Sequence, residues 1–131
     1  MTDPERIAID LTEEERKLMS LALNEYGGLA KRAKPLLIPV LGLSTEDEWY
    51  QLLKRLELAI DNNEPLSDLD WARALFLTEI SFASDLVGAG LHFGPAADEY
   101  WFRVLRSVQQ KISTYPRFLL LLQNASYSPA E

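Results

Sequence analysis

Residues 68–87 read DLDWARALFLTEISFASDLV and form the least polar long stretch of the chain. After Trp71, this stretch carries only three charged residues, Arg73, Glu79 and Asp85. A helix that is apolar on most of its sides is usually buried by several neighbouring helices. We therefore predict a central helix over about 68–87, around which the rest of the chain packs.

Glu79 falls in the middle of the apolar side of this predicted helix. At about 100° per residue, one arc collects the apolar side chains of Ala72, Leu75, Phe76, Phe82, Ala83 and Leu86. Arg73, Thr78 and Ser81 fall mostly on a small polar wedge. Because an isolated buried charge is strongly unfavourable, we expect Glu79 to be largely buried with a partner, such as an Arg, a Trp indole N–H or a helix N-terminus. It would be either a structural carboxylate or a group that transfers a proton or orients a ligand.

Capping patterns predict where two further helices begin. Thr12 is followed three residues later by Glu15, and Thr45 is followed in the same way by Glu48. This spacing is typical of a capping box, in which the two residues satisfy each other's backbone N–H groups at a helix start. Apolar residues recur with helical spacing after both positions, so both patterns predict amphipathic helices.

The whole chain, residues 1–131, is predicted to be a single all-α domain of five or six helices. Residues 1–10 are expected to form a flexible arm, with a short strand as the alternative, and residues 126–131 a frayed tail. The second half, 67–131, carries seven acids and five bases and is therefore expected to supply most of the core. Residues 118–122 should form a last short helix that packs against that core.

The charge balance disfavours several classes of partner. Thirteen Lys and Arg side chains against twenty Asp and Glu give a net charge of −7. Such a chain repels nucleic-acid phosphates and anionic membrane surfaces, so a protein partner, and a basic one, is favoured. The chain has no cysteine, which excludes disulfides and thiolate metal sites. No other pattern indicates a metal or cofactor.

Hydropathy predicts a soluble cytoplasmic protein. The first residues are acidic, unlike the basic start of a secretory signal. The apolar runs 35–43 and 118–122 are far shorter than the roughly 20 residues that a membrane span needs. No targeting or membrane-spanning segment is therefore expected.

The segment from Gly88 to Gly94 contains the only histidine of the chain, His92. A glycine-rich loop before a helix can bind an anion, but this loop follows a predicted helix and lacks the Lys-Ser/Thr pair of a phosphate-binding loop. An ordinary connection between two helices explains its glycines. The candidate catalytic groups are Glu79, Asp85 and His92, with His92 as a proton shuttle.

Two classes of function fit these patterns. The first is a small acidic interaction module, such as a regulator, an adaptor or a toxin-neutralising immunity or antitoxin-like protein. Its predicted binding surface combines acidic and aromatic residues: Glu46, Asp47, Glu48, Trp49 and Tyr50. Charge complementarity would then speed association with a basic partner.

The second class is a small-molecule-binding protein or minor enzyme, with an apolar pocket between the central helix and the segment 88–94. Glu79, Asp85 and His92 would be its polar groups. The lack of a recognisable catalytic motif favours binding over catalysis. A homo-oligomer is a further interpretation, in which the run 118–122 completes the core of a second copy.

Overall fold

The computed structural model describes residues 5–28, 30–84 and 98–125. These ranges contain six helices: α1 (Glu13–Asn24), α2 (Lys34–Val40), α3 (Glu46–Asp61), α4 (Asp68–Ala83), α5 (Asp98–Ile112) and α6 (Tyr115–Asn124). Two 3₁₀ turns, Glu25–Gly27 and Lys31–Ala33, lie between α1 and α2. The predicted all-α fold is confirmed.

The N-terminal arm contributes a short strand. β1 (Arg6–Ile7) pairs antiparallel with β2 (Leu66–Ser67), just before α4. The carbonyl of Ile7 also accepts a hydrogen bond from the indole N–H of Trp71 at 2.7 Å. The strand alternative therefore describes this part of the arm, while residues 1–4 and the predicted tail 126–131 lie outside the described residues.

Both predicted capping boxes are confirmed. The Thr12 N–H donates to Glu15 Oε1 at 2.7 Å, and the Glu15 N–H donates to Thr12 Oγ1 at 3.1 Å. Thr45 and Glu48 make the same reciprocal pair at the start of α3. Because these bonds span only three residues, they form wherever the rest of the chain places the helix.

α4 lies at the centre of the helix packing and contacts α1, α5 and α6. Ser67 caps its start by accepting the Asp70 N–H. Trp71 is 2% exposed and Leu77 is fully buried, as the prediction of a central helix requires. The helix ends at Ala83, a turn earlier than predicted, because the backbone of Ser84 is extended.

The polar wedge of α4 faces the interior, contrary to the helical-wheel expectation. Arg73 is 9% exposed and Thr78 is fully buried, whereas Phe76 and Glu79 on the apolar arc are only half-buried. The Thr78 hydroxyl donates to the Ala74 carbonyl at 2.7 Å. A hydroxyl satisfied within its own helix can be buried without a tertiary partner, so polarity alone did not identify the exposed side.

A buried ionic cluster fixes the start of α4. Asp70, 6% exposed, accepts from Arg55 Nε at 2.7 Å and from Arg73 Nη1 at 3.0 Å. Arg73 Nε donates to the Leu41 carbonyl at 2.9 Å. The cluster therefore ties α4 to α3 and to the residue that follows α2, and its charges are compensated as burial requires.

The first half of the chain supplies most of the described core, which overturns the expectation from charge. Eighteen of the twenty-seven buried apolar residues in the described part precede position 67. Leu18 and Leu23 on α1, and Leu52 and Leu56 on α3, are fully buried. Apart from Glu15, the charged residues on these helices are exposed or half-buried, so a high charge content there is compatible with a large core.

A second buried carboxylate, Glu15, joins α1 to α5. Glu15 is 2% exposed and accepts from Lys111 Nζ at 2.6 Å. Burial raises the pKa of Glu15, but the hydrogen bonds from Lys111 and from the Thr12 N–H outweigh this effect. Its pKa is therefore held below the ordinary value of 4.5.

We expect the substitution Glu15→Gln to lower the free energy of unfolding at neutral pH by about 1–3 kcal/mol. Because the folded pKa of Glu15 is depressed, its carboxylate contributes stability above about pH 4.5 and loses it as the pH falls through the folded pKa. The difference between wild type and variant should therefore shrink in acid. Urea unfolding between neutral pH and about pH 3 measures it, with exposed Glu14→Gln as the control. A difference independent of pH would contradict the prediction.

Gly42, just after α2, allows the end of α6 to approach the backbone closely. Its φ is +77°, a conformation that favours glycine. A Cβ at this position would lie 2.3 Å from the backbone oxygen of Asn124, the last residue of α6. The contact therefore depends on the absence of a side chain.

We expect Gly42→Ala to lower the free energy of unfolding by about 1–3 kcal/mol, since it adds both backbone strain and a clash with α6. Gly27→Ala is the matched control, because a Cβ at Gly27 meets no atom within 4 Å. Urea unfolding gives the stability change, and amide hydrogen exchange should show the loss of protection concentrated in α6. Equal effects of the two substitutions would contradict the prediction.

Candidate functional site

α6 lies on the surface with much of its apolar face uncovered. None of its residues is buried, although 118–122 is an unbroken apolar run. Tyr115, Phe118 and Leu122 are 71%, 53% and 53% exposed. Their i, i+3, i+7 spacing makes them one strip along the helix. Leu121 packs against the core, so the prediction that this run covers the core is correct for only part of it.

Polar contacts hold α6 in place at its start. Thr114 caps the helix by accepting the Arg117 N–H at 3.3 Å. The guanidinium of Arg117 donates from Nε to Asp68 Oδ1 at 2.9 Å and from Nη1 to the Ile112 carbonyl at 3.0 Å. Asp68 is the first residue of α4, so the central helix positions α6 directly.

α2 carries two further exposed apolar residues. Leu36 is 63% exposed and Val40 is 38% exposed, and their i, i+4 spacing places them on one side of the helix. The name α2–α6 face is used here for the exposed apolar residues of these two helices: Leu36, Val40, Tyr115, Phe118 and Leu122.

A groove of about 290 Å³ separates α2, α4 and α6. Its apolar lining comes from these three helices, the end of α5 and the residue after α6: Val40, Ala72, Leu75, Phe76, Ile112, Phe118, Leu121, Leu122 and Ala125. Glu79, Ser113, Thr114 and Arg117 are polar groups along it. A concave apolar lining with a few polar groups is typical of a binding site.

Glu79 lines this groove and is half-buried rather than largely buried. Its partner is Gln109 on α5, whose Nε2 donates to Glu79 Oε2 at 2.5 Å. Gln109 Oε1 in turn accepts from Arg106 Nη1 at 3.0 Å. The expectation of a hydrogen-bonded partner is confirmed, although the partner is an amide and none of the three types expected.

The other two candidate catalytic residues, Asp85 and His92, lie outside the described residues, as does the segment from Gly88 to Gly94. The predicted grouping of these two residues with Glu79, and the role of His92 as a proton shuttle, therefore stay predictions.

The predicted acidic and aromatic surface is divided by the start of α3. Trp49 is 1% exposed and packs edge-to-face on Tyr26, with ring centroids 5.7 Å apart. Trp49 belongs to the core, because α3 turns its apolar face inward at this position. The prediction that Trp49 is part of a binding surface is therefore wrong. Glu48 is exposed but accepts the backbone N–H groups of Ser44 and Thr45, and the Ser44 bond lowers its pKa most.

Glu46, Asp47 and Tyr50 remain exposed at this end of α3. Lys34 Nζ donates to the Tyr50 hydroxyl at 3.0 Å and lies 3.3 Å from Glu46 Oε1. The hydrogen bond to Tyr50, followed by the contact with Glu46, raises the pKa of Lys34. Lys34 and Glu46 neutralise each other's charge, although an exposed ion pair of this kind stabilises a protein little. Asp47 is then the exposed acid of this group that remains to attract a partner.

The contribution of α2 and of the apolar arc of α4 to a shared groove was not predicted from the sequence. Pro35 and Pro39 lack the backbone N–H of a regular helical residue and obscure the helical spacing of Leu36 and Val40. Phe76 was assigned to the interior because spacing along one helix does not say which neighbour covers it.

Within the described ranges, no three His, Cys, Asp or Glu side chains are close enough together to hold a metal ion. No described helix combines the length and the apolar content needed to cross a membrane.

Comparisons with known proteins indicate no relationship. No family model matches the chain, and no curated protein or solved structure is significantly similar to it.

Proposed function

We propose that the chain is a small protein-interaction module that binds its partner on the α2–α6 face. The observation that carries this proposal is the exposed apolar strip of Tyr115, Phe118 and Leu122 beside an open apolar groove. Helix-in-groove recognition uses residues spaced i, i+3, i+4 and i+7 as anchors. The strip has this spacing, and the groove provides the concave surface.

The size of the apolar surface supports docking rather than chance exposure. Single exposed leucines are normal on protein surfaces, whereas contiguous apolar patches of several hundred Å² usually mark interaction sites. Four of the five residues of the α2–α6 face are at least half exposed. Arg117 bonds the start of α6 to Asp68, and the backbone at Gly42 lies close to its last residue, Asn124.

The acidic residues at the start of α3 have a secondary role in this proposal. Glu46 is neutralised by Lys34, and Trp49 is buried, so little of the predicted set can form a binding hot spot. The net charge of −7 would still attract a basic partner at long range and raise its association rate.

The test is affinity capture from native lysate with the wild type and matched variants as bait. Leu122→Lys places a charge on the α2–α6 face. Leu58→Lys places the same charge on α3 and is a matched control, because Leu58 is 51% exposed and Leu122 is 53% exposed. We expect a protein captured by the wild type to be lost with Leu122→Lys, at least tenfold in yield, and retained with Leu58→Lys.

A double variant, Glu46→Lys with Asp47→Lys, separates the two surfaces. Loss of capture with this variant alone, together with strong salt sensitivity, would assign binding to the acidic surface and contradict the α2–α6 face. Equal capture by every variant would contradict both surfaces.

A small apolar ligand is a second candidate, which the position of Glu79 favours. Its carboxylate lines an otherwise mostly apolar groove of about 290 Å³, so an apolar molecule with an amine could place its charge there. Groove volumes near 300 Å³ are at the lower end for such sites.

For this second candidate, phenethylamine as a probe should raise the melting temperature of the wild type more than that of Glu79→Gln. Glu57→Gln is the matched control, since Glu57 is also a half-buried acid but does not line the groove. Thermal shift measures the effect. An equal shift in all three proteins, or no shift in any, would contradict ligand binding at Glu79.

A further inference from the structure

Among the possible occupants of the α2–α6 face, we infer that a second copy of this chain docks there, forming a two-fold symmetric dimer. The inference rests on the proposed function and names its partner. It depends on three properties of the face: its charge, its area and its shape.

Charge is the first property. Neither α2 (KPLLIPV) nor α6 (YPRFLLLLQN) contains an acidic residue, although the chain has twenty. Their cations are neutralised within the chain, since Lys34 pairs with Glu46 and Arg117 pairs with Asp68. Two copies that each carry −7 repel one another through most orientations, and contact through this face keeps their acids apart.

The same charge pattern disfavours a strongly charged partner on this face. A basic partner finds no acid on either helix, and an acidic partner finds no unpaired cation on either helix. Glu79 is the one acid among the described residues that line the groove and belongs to α4, not to α2 or α6, and its Oε2 accepts a hydrogen bond from Gln109. A neutral apolar surface matches another neutral apolar surface, and the second copy provides one.

Area is the second property. The five residues of the face are 38–71% exposed. At roughly 150–200 Å² for each large apolar side chain when fully exposed, they together present on the order of 500 Å². A standard-size interface buries about 800 Å² on each partner, and about 65% of a homodimer interface is apolar. The exposed area is therefore of the order of the apolar part of one side of a standard-size interface.

Shape is the third property. A two-fold axis brings the same surface of both subunits together, so that surface must be self-complementary. The α2–α6 face contains both an exposed strip and an adjacent groove. Strip and groove are continuous, because Phe118 and Leu122 belong to both. A two-fold axis through this region would place the exposed edge of each strip over the groove of the other copy.

Sedimentation velocity over a concentration series tests the dimer, with the purified chain as its own probe. We expect the wild type to sediment as a dimer, and Leu122→Lys to raise its dissociation constant at least tenfold. The dimer of this variant would bury two lysines without partners. The substitution also makes the net charge of each chain less negative, so repulsion between whole chains would not explain a weaker dimer. The matched control Leu58→Lys should leave the dissociation constant unchanged. Added salt should strengthen the wild-type dimer, because it screens the repulsion between the two acidic chains.

Three results would overturn the inference. One is a wild type that stays monomeric at several hundred micromolar. Another is a dimer that Leu122→Lys and Leu58→Lys weaken equally. A third is a monomer whose melting temperature falls with Leu122→Lys but not with Leu58→Lys, which would mean that the face is covered within one chain.

The proposed function fails on different observations. A monomeric wild type that still captures another protein through Leu122 would overturn the second copy alone and leave the docking face in place. A monomer without any capture dependent on Leu122 would overturn both. Circular dichroism melting of each variant shows that the comparison is made between folded proteins.

Discussion

The ionic contacts in the first turn of α4 connect the helices that form the groove. Asp70 binds Arg55 of α3 and Arg73 of its own helix, and Arg73 reaches the carbonyl of Leu41 after α2. Two residues earlier, Asp68 binds Arg117 of α6. Asp70, through Arg73, thus positions the end of α2, and Asp68 positions α6. These two helices lie on either side of the groove. Since a buried charge without its partner is strongly destabilising, this arrangement has few alternatives.

The most deeply buried residues of the core lie outside α6. Trp49 and Leu77 are completely or almost completely buried, while no residue of α6 is. Much of the apolar content of α6 consequently remains in contact with water in a single chain. Hydrophobic burial stabilises by about 25 cal/mol per Å² of apolar surface, so exposed area of this kind favours association strongly. In the proposed docking mode, α6 would therefore contribute more to association than to the buried core.

The acidic residues are concentrated away from the two helices that carry the exposed apolar residues. Half of the twenty acids lie on α1, α3 and the first turn of α4, most of them at helix starts. α2 and α6 have none. A highly acidic chain can in this way remain well hydrated over most of its surface and keep one face free of like-charge repulsion.

Features that depend on a few neighbouring residues were predicted from the sequence. The capping boxes at Thr12 and Thr45 are examples, because their hydrogen bonds span three residues. The central position of α4 also followed from its composition, since a helix with few charges needs neighbours on most sides. A hydrogen-bonded Glu79 followed from the high free energy of an unpaired carboxylate in an apolar setting.

Features that depend on which surfaces meet were decided by the tertiary structure. Helical periodicity places Glu79 and Phe76 on one side of α4, but only the packing of α1, α5 and α6 determines that this side borders a groove. Trp49 has the same character in the sequence whether it faces a partner or Tyr26. Apolar side chains gain free energy from burial in any apolar environment, because the hydrophobic effect has no direction. Their spacing therefore predicts that they will be covered, and the arrangement of the helices decides whether the same chain or a second molecule covers them.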